Sequence, residues 1–128
     1  LPEYVHHVIF LGGANDILQG RRIEDISRDY KRVLEWCEEK QYSLCVVLPF
    51  ISTEQALNRQ LLNLRQEAEH ICGGKAFLLD LQPAIGMDAG ARFKAYVDGI
   101  HPKSQTYEAM GSYAAPLIWK WLKNEKEA

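Results

Sequence analysis

An α/β fold, with a parallel sheet and flanking helices, is the class this sequence predicts. Three observations predict it. Three short runs are close to continuously apolar, helical periodicity fills the segments between them, and glycine, proline or polar residues follow each run. Continuous apolar strands suit a parallel sheet covered on both faces, whereas a sheet with one wet face alternates.

The first run is YVHHVIFL, Tyr4–Leu11. The second is SLCVVLPF, Ser43–Phe50, and the third KAFLLDL, Lys75–Leu81. Between the first two, Ile23, Ile26, Tyr30, Val33, Leu34 and Cys37 recur at spacings of three and four among charged residues. That is one apolar face of a helix. Leu57, Leu61, Leu64, Ala68 and Ile71 repeat the pattern; Ser52 or Thr53 can cap its start, and Gly73-Gly74 ends it. Gln82–Val97 reads as loop. A last helix is expected from near Ser104, capped by Ser104 and kinked or split at Pro116, which cannot donate to the carbonyl four residues back.

The order is therefore β-α-β-α-β-loop-α, a parallel sheet with right-handed crossovers in a single domain spanning 1–128. Ligands of such sheets bind beyond the C-terminal ends of the strands. The first strand has the composition of an interior strand, and only His6 and His7 blunt it. An apolar edge invites pairing. It is expected to lie against a missing upstream strand or another subunit.

Composition narrows the function. The chain has 128 residues, a net charge of −2 and no basic stretch, so nucleic acid is not an expected partner. No apolar run approaches the ~20 residues of a membrane helix. Cys37, Cys45 and Cys72 are odd in number and unpaired in spacing, which favours buried small hydrophobes over disulfides or a zinc site. Adjacent His6 and His7 point to opposite strand faces and make a poor metal pair. No metal or cofactor is expected. The chain begins at Leu1 rather than Met, so processing or an upstream segment is expected, and the compartment stays open.

Two short blocks could carry chemistry. The first, GGAND (Gly12 to Asp16), follows the first strand. It reads as an ordinary strand-to-helix turn, or as a loop presenting the Asn15 amide to a developing oxyanion. The second, DGIHP (Asp98 to Pro102), precedes the last helix. It reads as a turn holding a histidine, or as an Asp98 carboxylate that fixes the tautomer of a general base, His101. Gly99 allows the bend that lets the two side chains meet.

Taken together, these blocks resemble the SGNH, or GDSL-type, serine hydrolases. Gly13-Ala14-Asn15-Asp16 is similar to that family's Gly-x-Asn-Asp block, and Asp98-Gly99-Ile100-His101 to its Asp-x-x-His block. The tail from His101, with Tyr107 and Met110, looks like its C-terminal helix. The resemblance implies a flavodoxin-like three-layer α/β/α fold. It implies hydrolysis of small-molecule ester or acyl substrates by an esterase, lipase, thioesterase or deacetylase. It makes His101 the base, Asp98 its orienter and Asn15 the oxyanion donor, with Gly13 shaping the loop.

The same resemblance exposes a departure. The family's nucleophilic serine and a second oxyanion glycine lie upstream of the Asn block, and the chain contains neither. It reads as an incomplete hydrolase domain with its serine outside these residues. The alternative is a non-catalytic relative acting as a binding or assembly module completed by another subunit. Loss of the nucleophile costs a serine triad on the order of 10⁶ in turnover. Ser52 is the best-placed substitute but reads better as a cap. Arg21 and Arg22 read as a solvated loop that could reach an acidic substrate group. Trp119 and Trp121 cannot share one helix face, so one is expected in the core and the other on the surface.

Overall fold

The structure is a computed structural model that describes residues 6–127. Its elements run β1 (His7–Leu11), α1 (Ala14–Leu18), α2 (Ile23–Lys40), β2 (Ser43–Val47), α3 (Gln55–Cys72), β3 (Phe77–Leu79), α4 (Gln82–Ile85), α5 (Ala89–Ala95) and α6 (Ser104–Glu127). The three strands form one sheet in the order β1-β2-β3, and both pairings are parallel. Register aligns Leu11 with Val47 and Val47 with Leu79. The three strands therefore end level, and the segments that follow them emerge at one edge.

Strand alternation sorts side chains to two faces. Phe10, Leu44, Val46 and Leu48 pack with Tyr30 and Leu34 of α2 and Leu61 and Leu64 of α3. Cys45, Val47 and Leu79 pack on the other face with Ile85 of α4, Ala95 of α5 and Trp121 of α6. Helices thus cover both faces, giving a three-layer α/β/α arrangement. Trp121 is core and Trp119 is 70% exposed, as their spacing requires. All three cysteines are buried and free. Burial pushes the Cys45 thiol up to about 11, which suits a packing role.

The strands are shorter than their apolar runs. Tyr4 and Val5, at the start of the first predicted strand, lie outside the described residues. β2 stops at Val47, although the Leu48 amide still bonds the Leu79 carbonyl; Pro49 then removes a donor from the ladder. β3 keeps only Phe77–Leu79, because Asp80 turns its carboxylate to Arg65.

The segment read as loop, 82–97, holds two short helices. Pro83 pre-sets the first turn of α4, and the Asp88 carboxylate accepts from the Ala91 amide at 2.8 Å to cap α5. Helix α6 runs unbroken through Pro116 instead of splitting there. The carbonyl orphaned by Pro116 belongs to Ser112, which is exposed and can bond water. The expected caps also differ. Helix α3 starts after Glu54 without a side-chain cap, and Ser104 lies inside α6, whose first amides reach the Lys103 carbonyl.

The interior composition of β1 is at odds with its place. It lies at an edge of the described sheet, and Ile9 and Leu11 are 51% and 63% exposed. Both point to the α6 side, where α6 covers β2 and β3 but not them. Among the described residues, no helix is long and apolar enough to cross a membrane.

Candidate active site

Two segments, one following β1 and one joining α5 to α6, meet around one cavity. After β1 the chain turns at Gly12-Gly13 into the five-residue α1. Gly13 has φ +135°, closed to other residues, and a Cβ there would meet Leu64 Cδ2 at 3.2 Å. The turn thus needs glycine for its angle, and the space beside it is tight. Asp16 Oδ2 accepts from the Gly13 amide at 3.1 Å, closing the turn around Ala14 and Asn15. Asn15 stands exposed in the first turn of α1, and among the described residues its side-chain amide makes no hydrogen bond.

The second segment joins α5 to α6. The Val97 amide bonds the His101 carbonyl at 2.8 Å and the Lys103 amide bonds the Ala95 carbonyl at 2.9 Å, pinching 98–101 into a protruding turn. Inside it, Asp98 Oδ1 accepts from the amides of Ile100 and His101 at 2.9 and 2.7 Å. Asp98 Oδ2 lies 2.8 Å from His101 Nδ1. Hydrogen bonds from the His101 amide and imidazole and from the Ile100 amide hold the Asp98 carboxyl far below the usual carboxylate range. An ionised carboxylate can only accept, so His101 Nδ1 carries the proton. In the neutral ring Nε2 is then the unprotonated nitrogen, and among the described residues it has no partner. Such a nitrogen can accept a proton.

Gly99 fastens this turn to the loop after β2. Its φ is +83°, and a Cβ would meet Thr53 Oγ1 at 2.7 Å. Thr53 donates to the Gly99 carbonyl through both its amide and its hydroxyl, at 3.4 and 3.3 Å. The Tyr96 hydroxyl donates to the Ile51 carbonyl at 3.0 Å and Arg92 Nε to the Ser52 carbonyl at 3.1 Å. The turn and the residues leading into it are therefore mounted on the β2–α3 loop.

Asn15 and His101 line one cavity of about 580 Å³. Its walls are largely apolar: Leu11, Leu18, Phe50, Ile100, Pro102 and Met110, with Tyr107 beside them. No serine, threonine or cysteine is among its lining residues. Ser52 is elsewhere. It is 3% exposed, its hydroxyl accepts from the Glu54 amide at 3.2 Å, and its amide donates to Asn58 Oδ1 at 2.7 Å. The serine is bound into the start of α3, though from two residues before the cap position. No group of carboxylate, imidazole and thiol side chains among the described residues is arranged to hold a metal.

Two residues near the site escaped sequence reasoning. Arg21 is exposed in the loop, as expected, but it is paired there: one guanidinium nitrogen donates to Asp16 at 2.9 Å and to Asp29 at 2.6 Å. Its partners are five residues before it and eight after, and no local motif joins them. Thr53 showed only as a possible cap, because its true partner, Gly99, is 46 residues away. Adjacent His6 and His7 do part company. His7 packs edge-on against Trp121 at 5.1 Å, and His6 is exposed.

The profile of a family described as GDSL-like lipase/acylhydrolase matches residues 2–109. No curated protein matches the chain. Among solved structures, a GDSL-like lipase from Bacteroides thetaiotaomicron superposes with a TM-score of 0.75 at 16% identity, over 90% of this chain and 62% of that one. A protein assigned to the G-D-S-L family of lipolytic proteins, from Desulfitobacterium hafniense, gives 0.74 at 20% identity, over 89% and 66%. A carbohydrate esterase of family 3 from Talaromyces cellulolyticus gives 0.66 at 16% identity, over 93% and 59%. These likenesses establish a shared fold, and the chain spans about three-fifths of the length of these structures.

Proposed function

From the premise that this chain belongs to the GDSL-like lipase/acylhydrolase family, we propose that it supplies the base and an oxyanion donor of a serine ester hydrolase. His101 is the base, Asp98 its orienter and Asn15 the donor. Gly13 gives the loop its shape. The serine comes from outside these 128 residues. One observation carries the reading: Asn15 and His101 line the same cavity, each with a side-chain nitrogen unspent on any described hydrogen bond.

The chemistry follows from those positions. The serine oxygen attacks the acyl carbon while His101 Nε2 takes its proton. Asp98 stabilises the resulting imidazolium without itself taking up the proton. The carbonyl oxygen becomes an oxyanion and accepts from the Asn15 amide, whose donor is free of other described hydrogen bonds. Collapse breaks the acyl–oxygen bond, and His101 returns the proton to the leaving alcohol. Water then repeats the sequence on the acyl-enzyme. The apolar walls suit a small ester or acyl compound. The lining residues offer no hydroxyl or thiol nucleophile other than the phenol of Tyr107, so in this reading the serine is not one of them.

A fluorophosphonate probe on the full-length gene product tests this. Labelling of one serine outside residues 1–128, lost in His101→Ala, is the expected result. Folded protein that takes no label would overturn the reading in favour of a binding module.

A further inference from the structure

We propose that Arg21 is a positioning residue for Asn15, acting through the carboxylate of Asp16; this rests on the reading of Asn15 as the oxyanion donor. Asn15 sits on α1, and five residues cannot hold a helix by themselves. Ile17 anchors α1 in the core, and a clamp holds the turn that leads into it. Asp16 Oδ2 accepts from the Gly13 amide, and Asp16 Oδ1 accepts from Arg21. The same Arg21 nitrogen donates to Asp29, on the eighteen-residue α2. The Arg21 amide also bonds the Asp16 carbonyl at 3.0 Å. The next residue along α2, Tyr30, points its hydroxyl at the Gly12 carbonyl at 3.4 Å. Two consecutive residues of a long helix thus root both sides of the turn.

Without Arg21, the partly exposed Asp16 side chain can rotate to water and release the Gly13 amide. The turn then relaxes at the residue that sets the direction of α1. Exposed ion pairs contribute little to stability. A displacement of about 1 Å at a reacting group, by contrast, can cost ~10²-fold in rate. The clamp is therefore expected to matter more for turnover than for melting.

The test uses ester hydrolysis by the full-length protein. Arg21→Ala should lower kcat roughly tenfold with KM nearly unchanged, since an oxyanion donor acts in the transition state. Asn15→Ala should lower kcat about 10²–10³-fold, and adding Arg21→Ala to it should lower kcat no further. Arg21→Lys should retain most of kcat, because a single nitrogen makes both carboxylate bonds. An Arg21→Ala variant with wild-type kcat, or one whose loss is the same with and without Asn15, would overturn the proposal. Hydrogen exchange of the Gly13 amide, read by NMR, decides the clamp without turnover. Protection should persist in the wild type and in Arg21→Lys and vanish in Arg21→Ala, and protection kept in Arg21→Ala would also overturn it. Wild-type kcat in Asn15→Ala would instead refute Asn15 as the donor, leaving the exchange result to judge the clamp.

Discussion

Asp98 divides its two oxygens between two tasks: Oδ1 accepts the amides of Ile100 and His101, and Oδ2 lies 2.8 Å from the imidazole of His101. The division makes Asp98→Asn an informative substitution. The amide oxygen can keep both backbone bonds, so the turn survives. The amide nitrogen then faces Nδ1 and, being a donor, forces the other tautomer, with the proton on Nε2. Turnover by the full-length protein should fall about 10⁴-fold while the melting temperature holds. Asp98→Ala should lose the same turnover and also lower the melting temperature. Steady-state kinetics with thermal melting of both variants checks this, and an active Asp98→Asn enzyme would remove Asp98 from the role of orienter.

Gly99 should resist replacement. Its φ of +83° and the 2.7 Å approach of Thr53 Oγ1 leave no place for a methyl group. Gly99→Ala should cost about 1–3 kcal/mol in urea unfolding and displace His101, lowering turnover as well. Thr53→Ala removes the shortest contact but leaves Glu54 Oε1 at 3.0 Å and the backbone angle unchanged. The double variant should therefore recover only part of the loss, and full recovery would mean that the angle carries no strain.

These cases show what the sequence could and could not express. The sheet was legible because apolar runs of strand length have few other uses, and α2 and α3 because their apolar faces repeat. The pairing of Asp98 with His101 was legible because both lie in one five-residue block. Local chemistry wins over pattern elsewhere. Gln82–Val97 hides α4 and α5 because each is too short to show a period, and Pro116 sits in α6 because the carbonyl it orphans faces solvent. Arg21 and Thr53 act through partners brought near by the fold, so nothing adjacent in the chain marks them.

Ser52 offers a control on the nucleophile. It follows β2 on the side of the site, yet it is buried and its hydroxyl accepts the Glu54 amide. Ser52→Ala should cost about 1 kcal/mol in chemical denaturation, the worth of a lost hydrogen bond. Turnover by the full-length protein should stay within roughly twofold, far from the ~10⁶ loss expected of a nucleophile. A loss of that size in a folded variant would reassign the nucleophile to this loop.

Acid should weaken the fold through Asp80. Arg65 makes a two-pronged contact with its carboxylate, at 3.1 and 2.9 Å, tying α3 to the end of β3. That contact, joined by the Gln82 amide, holds the Asp80 pKa below its ordinary value against the opposing effect of burial. Because the folded value is depressed, the folded state gives up its proton more readily than the unfolded chain. The stabilisation is then fully present above the unfolded value near ~4 and is lost as pH falls through the folded value. The pair is partly exposed, so its worth at neutral pH is about 1 kcal/mol or less. Asp80→Asn should accordingly be slightly less stable than the wild type at neutral pH and converge with it in acid. Asp98, depressed in the same direction, should leave a residual acid slope in the variant. Urea midpoints of both proteins between neutral pH and pH 3 provide the check: a gap that stays constant across the range would show that the Arg65 contact does not depend on the Asp80 charge.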